Sequence, residues 1–303
     1  MKFVRIFFAN IVSVFFLNKV MRRRVRGHIV FGPIQACRVA IKNRRMRHAP
    51  PTHYLTICAI AKNEGAYFKE WIDWHVAQGV QKFYIYNNES TDNTVEVLQP
   101  YIDSGLIEYN YIVGKRKQTA AYNDCLARHR YDSRWIAFID LDEFIVPIKA
   151  KTIPEFLKDF EGFPAVEINW LCYGSGGAKT RKPGGVMERF RSHSHPSCEL
   201  NRHVKSIVNP RLALNFLSSH HPTLLSGCAV DTNGNKVRKY FFQREPLHDT
   251  IRINHYAVKS FEEFLEKKAR GRGMSLSQRG LDYFEKFDRN EITEDRDVPY
   301  QAN

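Results

Sequence analysis

Residues 135–144 read WIAFIDLDEF. The apolar part, Trp135 to Ile139, has the length of a strand buried on both faces and is too short for a core helix. It runs straight into Asp140, Asp142 and Glu143. Carboxylates gathered at one strand end raise one another's pKa unless a cation sits among them. The stretch is therefore either a metal site or a costly charge cluster.

Working outward, apolar runs alternate with helical patterns. YLTICAIA (54–61), KFYIYN (82–87), LIEYNYIV (106–113) and WIAFID (135–140) have strand length and composition. Between them, EGAYFKEWIDWHVAQG (64–79) carries aromatics at helical spacing and stops at Gly79, and KQTAAYNDCLARHR (117–130) reads as another helix. Trp71, Trp74 and His75 lie on the aromatic face of the first helix and read as core. Such alternation means right-handed βαβ units and a mainly parallel sheet, whose ligands bind outside the strands' carboxyl ends. Each strand runs into polar residues there: AKNE (61–64), YNNES (86–90), GKRKQ (114–118) and DLDEF (140–144). No G-x-G-x-x-G or Walker A loop accompanies them. After residue 150 the alternation stops. AVEINWL (165–171) leads into a glycine-rich loop and VMERF. HVKSIVNP (203–210) and RINHYAVKS (252–260) are further apolar segments with polar ends. SFEEFLEKKARG opens on a capping box, Ser260 with Glu263, and ends at Gly271.

The chain has 303 residues, 43% apolar and 26% charged, enough for one good-sized α/β core. Its net charge of +14 suggests nucleic acid only until it is located: residues 1–50 hold twelve of the 46 Lys and Arg and none of the 32 acids. The body is close to neutral. In FVRIFFANIVSVFFLNKVMRRRVRG (3–27), the longest uncharged stretch, Ile6 to Asn18, falls short of the ~20 residues a spanning helix needs. Apolar residues beside dense Arg fit a helix lying on an anionic membrane surface, with the body cytoplasmic and peripheral to a bacterial inner membrane. An ordinary helix packed on the body is the alternative. The six cysteines form no C-x-x-C pair and read as reduced, as expected in the cytosol.

AIAKNEGAYFKEWIDWHVAQGV, YIYNNESTDNT, QTAAYNDCL, AFIDLDEF, INWLCYGSGG, HVKSIVNP and INHYAVKSFEEFLEKKARG, in that order, resemble glycosyltransferase family 92 and its bacterial relatives, close to family 2, over roughly residues 54–272. The resemblance implies a GT-A-type single α/β domain: a Rossmann-like, mainly parallel sheet with a mixed, loop-rich acceptor half. The expected divisions are a basic apolar arm (1–50), the glycosyltransferase domain (51–272) and a helical or irregular tail (273–303). It implies inverting transfer of a hexose, most often galactose, from a UDP-sugar with Mn²⁺ or Mg²⁺. The expected acceptor is a cell-surface glycan or lipid-linked saccharide, such as a lipopolysaccharide or capsule precursor, and no nucleic acid is expected.

Carried over by position, the resemblance puts the metal on Asp142, with Asp140 at the ribose or metal, His255 at the metal or diphosphate, and Glu143 in support. Asn63, Glu64, Asn88 and Ser90 match strand ends lining the uridine pocket, although Asn87 and Asn88 stand where the family commonly has an acid. Gln118, Asn123 and Asp124 match the segment beside the diphosphate. Inversion needs a carboxylate near the acceptor hydroxyl. Glu188, Glu199 and Asp249 are available, and Glu188 ranks first because it follows the glycine-rich loop. Trp170, Gly174, Gly176 and Lys205 are the expected acceptor contacts. Two other classes stay open: a metal-dependent nuclease, and a non-catalytic carbohydrate-binding descendant.

Overall fold

A computed structural model describes residues 19–46, 48–237, 245–271 and 280–294, with the backbone alone over 19–31. The apolar stretch Ile6–Asn18 lies outside these residues. Helix α1 (Lys19–Arg45) precedes the body. In the first half, β1 (His53–Ala61), β2 (Lys82–Asn87), β3 (Ile107–Tyr111) and β4 (Ser133–Phe138) pair in parallel in the order β3-β2-β1-β4, joined by α2 (Gly65–Ala77), α3 (Thr94–Asp103) and α4 (Gln118–His129).

Strand alternation divides the core. Leu55, Ile57 and Ala59 face Phe68, Trp71 and Ile72 of α2, whereas Cys58, Tyr84 and Tyr86 face Tyr122, Cys125 and Leu126 of α4. The aromatic helix also braces the next strand, β5 (Glu143–Pro147): Trp71 Nε1 donates to the Glu143 carbonyl at 2.8 Å and Trp74 Nε1 to that of Ile145 at 3.0 Å. Buried His75 completes the brace, its Nδ1 2.7 Å from the Trp71 carbonyl and its Nε2 accepting from Ile145 N at 3.2 Å. The core reading of these residues agrees with the packing.

Helix α5 (Ile153–Leu157) leads to β6 (Ala165–Cys172), and α6 (Val186–Arg189) and β7 (Ser192–His193) precede β8 (Val204–Val208). Strand β8 inserts antiparallel between β4 and β6. A short hairpin, β9 (Ala213–Phe216) with β10 (Pro222–Leu224), follows, and β11 (Ile251–His255) runs parallel to β6 and antiparallel to edge strand β5. The eight-stranded sheet is thus β3-β2-β1-β4-β8-β6-β11-β5. Helix α7 (Phe261–Arg270) begins with the expected capping box and ends at Gly271.

The chain beyond residue 272, expected to be a helical or irregular tail, packs on the body over 280–294. After α8 (Leu281–Phe287), the turn accepts from the glycine-rich loop: Ser175 N donates to Asp288 Oδ1 at 2.6 Å and Gly176 N to Asn290 Oδ1 at 2.7 Å. Strand β12 (Ile292–Thr293) then pairs with β7. At the other end, α1 docks through Asn43, whose Nδ2 donates to the Arg211 carbonyl at 2.6 Å. No helix among the described residues is long and apolar enough to cross a membrane.

Candidate active site

The DLDEF motif turns from β4 into β5. This puts Asp140 and Asp142 in the turn and Glu143 first in β5, paired across the ladder with His255 at the end of β11. Asp142, Glu143 and His255 are all buried, and each brings one ligand atom within 4.8 Å of the others. Around the same edge, four non-glycine residues hold left-handed backbone in strand-end loops: Asn63 (φ 52°), Glu89 (φ 57°), Arg116 (φ 58°) and Lys259 (φ 58°). Such conformations cost about 1–3 kcal/mol each and cluster at functional sites.

The acids are compensated from within. Lys205 on β8 reaches Asp140 Oδ2 at 2.9 Å and Glu143 Oε2 at 3.5 Å. Lys267 on α7 is bonded to Asp142 Oδ2 and donates to the Ala257 carbonyl at 2.6 Å. His255 Nε2 lies 3.8 Å from the same Asp142 oxygen. Burial alone would push Asp142 up, but the Lys267 ammonium and then His255 outweigh it and hold the carboxyl well below its ordinary value. For Glu143 burial wins over Lys205, and the carboxyl titrates well above the usual carboxylate range. Burial pushes His255 down against the pull of Asp142.

Residues 53–294 match the family described as glycosyltransferase family 92. The chain belongs to glycosyltransferase family 92. A family 92 protein of rice (Oryza sativa subsp. japonica) is 29% identical over 224 residues, covering 71% of this chain and 35% of that protein. Galactan β-1,4-galactosyltransferase GALS2 of Arabidopsis thaliana is 31% identical over 216 residues, covering 62% of this chain and 40% of that one. The chain thus spans little more than a third of the length of the rice relative. A crystal structure of S. aureus TarS 1–349 is similar over 52% of this chain and 48% of that one, with 16% identity and a TM-score of 0.34, too slight a likeness to add to the family match. The mainly parallel sheet, with antiparallel strands entering in its second half, is the GT-A-type fold the motifs imply.

On this family 92 framework the expected site residues separate. Gln118, at the start of α4, donates to Asp140 Oδ1 at 2.5 Å, so Asp140 is shared between Gln118 and Lys205, while the three residues whose ligand atoms lie within 4.8 Å of one another are Asp142, Glu143 and His255. Asn63 and Ser90 knit two strand ends together: Asn63 N donates to Ser90 Oγ at 2.9 Å, and Thr91 N to Asn63 Oδ1 at 2.7 Å. Glu64 pairs with Arg270 of α7, which also donates to the Asn63 carbonyl at 2.9 Å.

Other residues point elsewhere. Asn88 spends its amide on the Ile112 and Gly114 carbonyls, at 2.9 and 3.0 Å, shaping the loop after β3. Asn123 exchanges two hydrogen bonds with the Phe216 backbone, and Asp124 accepts from Tyr86 Oη at 2.7 Å, so neither stands with Gln118 at the acidic turn. Trp170 is buried among histidine rings, 4.0 Å from His255 and 5.0 Å from His203 between centroids, and exposes no face on which a sugar would stack. Lys205 is buried against Asp140 rather than open to an acceptor. A Cβ on Gly174 would strike the Arg289 carbonyl oxygen and Asn290 Oδ1, so this glycine permits close approach of the C-terminal turn. Gly176 (φ 58°) lines a cavity of ≈ 560 Å³ with Lys182, Arg189, Arg191 and exposed Glu188.

Sequence reasoning missed Lys267 and Arg270. The Ser260–Glu263 box fixes the register of α7, and Lys267 and Arg270 follow Glu263 at i+4 and i+7 on one face, a signal the motif contained. The donor set suits a divalent cation. Glu143 Oε1 and His255 Nδ1 are buried with no hydrogen-bond partner among the described residues, and the two carboxylates of the set are hard oxygen ligands of the kind that suits Mn²⁺ or Mg²⁺.

Proposed function

We propose that this family 92 chain transfers a hexose, with galactose the first choice, from a UDP-sugar to a hydroxyl of a cell-surface glycan or lipid-linked saccharide, with inversion. The observation that carries this reading is the buried Asp142–Glu143–His255 set where the parallel sheet's carboxyl edge meets β11. The galactosyltransferase activity for which the Arabidopsis relative is named supports galactose. Asp142, Glu143 and His255 would hold Mn²⁺ or Mg²⁺, which when bound supplies positive charge for a departing diphosphate.

The chain's own residues supply the rest. Lys205 and Gln118 hold Asp140, and Arg270 fixes the Asn63–Glu64 loop, so the nucleotide meets preset polar groups. Glu188, on the rim of the cavity bounded by the glycine-rich loop, takes the proton of the acceptor hydroxyl. The acceptor oxygen then bonds to the anomeric carbon as the bond to the diphosphate oxygen breaks, and UDP leaves. The nuclease reading fits less well, because the body is near neutral and its acids are paired with lysines rather than arrayed for a phosphodiester.

The location follows the same reading. Ile34, Cys37, Arg38, Ile41, Arg44 and Arg45 fall at i, i+3, i+4, i+7, i+10 and i+11 along α1 and are all exposed, a stripe suited to an anionic membrane surface on the cytoplasmic side. The test of function is a panel of UDP-sugars incubated with Mn²⁺ while UDP release is followed. One donor should be hydrolysed slowly, with the signal lost in EDTA and in Asp142→Ala. No turnover of any donor, with cleavage of nucleic acid instead, would replace this reading with the nuclease.

A further inference from the structure

Lys267 reads in the sequence as one of several basic residues closing a helix, where it would offset the helix dipole in solvent. In the fold it is buried, and its ammonium lies on Asp142 Oδ2, backed at 2.6 Å by the Ala257 carbonyl. Its aim is fixed one turn earlier. Glu263 caps Ser260, accepts two hydrogen bonds of 2.9 Å from Arg189 and one of 3.0 Å from Tyr67 Oη, and so locks the rotation of α7 about its axis.

Asp142 is also the central ligand of the three-residue set, with His255 Nε2 3.8 Å from the oxygen that Lys267 holds. A divalent ion on either oxygen of Asp142 would stand within a few ångströms of this ammonium, at a buried position where like charges are poorly screened. The second lysine differs. Lys205 lies on Glu143 Oε2 and leaves Oε1 without a hydrogen-bond partner among the described residues.

We infer that Lys267 is an internal competitor for the metal: its ammonium holds Asp142 in the ion-free protein and withdraws when a divalent cation binds among Asp142, Glu143 and His255. This rests on the reading of that set as the metal's ligands under the proposed function. Lys267 is then a positioning residue, keeping a buried carboxylate aimed until the ion arrives, and it sets how much free cation the site requires.

The test is Mn²⁺ binding to the full chain without nucleotide, followed by the electron paramagnetic resonance signal of free Mn²⁺. Lys267→Met removes the competitor and should bind Mn²⁺ about tenfold or more tightly than the unaltered chain, within the range by which neighbours of metal ligands alter affinity. Lys267→Arg keeps the charge and should bind no tighter than the unaltered chain. Circular dichroism checks the fold, and Lys267→Gln, which retains a hydrogen-bond donor for Asp142, takes the place of the Met variant if that one unfolds. Equal or weaker binding in the neutral variants, with Mn²⁺ still binding the unaltered chain, overturns the competitor role and leaves the metal reading standing. Absence of Mn²⁺ binding in every variant and in the unaltered chain overturns the metal reading itself.

Discussion

The ammonium of Lys205 lies 2.9 Å from Asp140 and 3.5 Å from Glu143, so one buried cation links the first and last acids of the DLDEF motif. Removing it strands carboxylates that were desolvated together with it. Lys205→Met should lower the unfolding free energy by about 2–3 kcal/mol in urea titrations, less than a fully buried pair because Asp140 is partly exposed. Lys205→Arg should lose less. A change below about 0.5 kcal/mol, the range of ordinary surface substitutions, would mean the pair does not hold the motif.

Buried His75 and half-buried His220 and His221 set the response to acid. Burial pushes His75 down to about 3, burial and then Lys205 push His220 to about 3, and burial pushes His221 to about 4. Each folded value lies below the ordinary 6.5, so the folded chain favours the neutral ring. Their stabilising contribution is complete above about pH 6.5 and is lost as the pH falls towards the folded values. Thermal melts should stay level between pH 7.5 and 6.5 and fall from there to pH 4.5, each histidine contributing up to about 1.4 kcal/mol per pH unit. His75→Gln should flatten that slope; an unchanged slope would remove His75 from the account.

The exposed carboxylate of Glu188 is the group assigned to proton transfer. Glu188→Gln should cut transfer to acceptor about 10²–10⁴-fold. Affinity for UDP should stay the same, because Glu188 is assigned to the acceptor hydroxyl and not to the nucleotide. Transfer at the unaltered rate would return the role to Glu199 or Asp249.

The stripe on α1 predicts a lipid preference. Replacing Arg38, Arg44 and Arg45 together with Glu should abolish sedimentation with phosphatidylglycerol vesicles, each charge being worth about 1 kcal/mol near an anionic surface. Binding that persists in the triple variant, or is equal on neutral vesicles, would make α1 an ordinary docking helix.

Much of the fold was legible because short-range signals decide it. Apolar runs bounded by polar ends gave β1 to β4, the aromatic period gave α2, and the Ser260–Glu263 box placed the start of α7. Parts of the site were hidden because partners far apart in the chain decide them. Lys267 and Asp142 are 125 residues apart, and nothing local separates a buried lysine from a solvated one near a helix end. Asn123 follows Gln118 by five residues, about 140° round a helix, so a segment read as one contact region turns its second half towards β9. Trp170 belongs to a strand buried on both faces, where alternation gives no inward or outward side, and its histidine neighbours come from β11 and from loops. The segment 280–294 lies beyond the last quoted motif, yet Phe287 joins the core with Tyr283 and Phe284 packed against it, and its turn satisfies the amides of the glycine-rich loop.

The most direct measurement is the anomalous scattering of manganese in crystals grown with MnCl₂ and UDP. The account predicts one strong peak among Asp142, Glu143 and His255, beside the diphosphate, with the Lys267 ammonium turned away from Asp142. A peak elsewhere, or bound UDP with Asp142 still held by Lys267 and no manganese beside it, would contradict the central claim that this carboxylate cluster is a metal–nucleotide site.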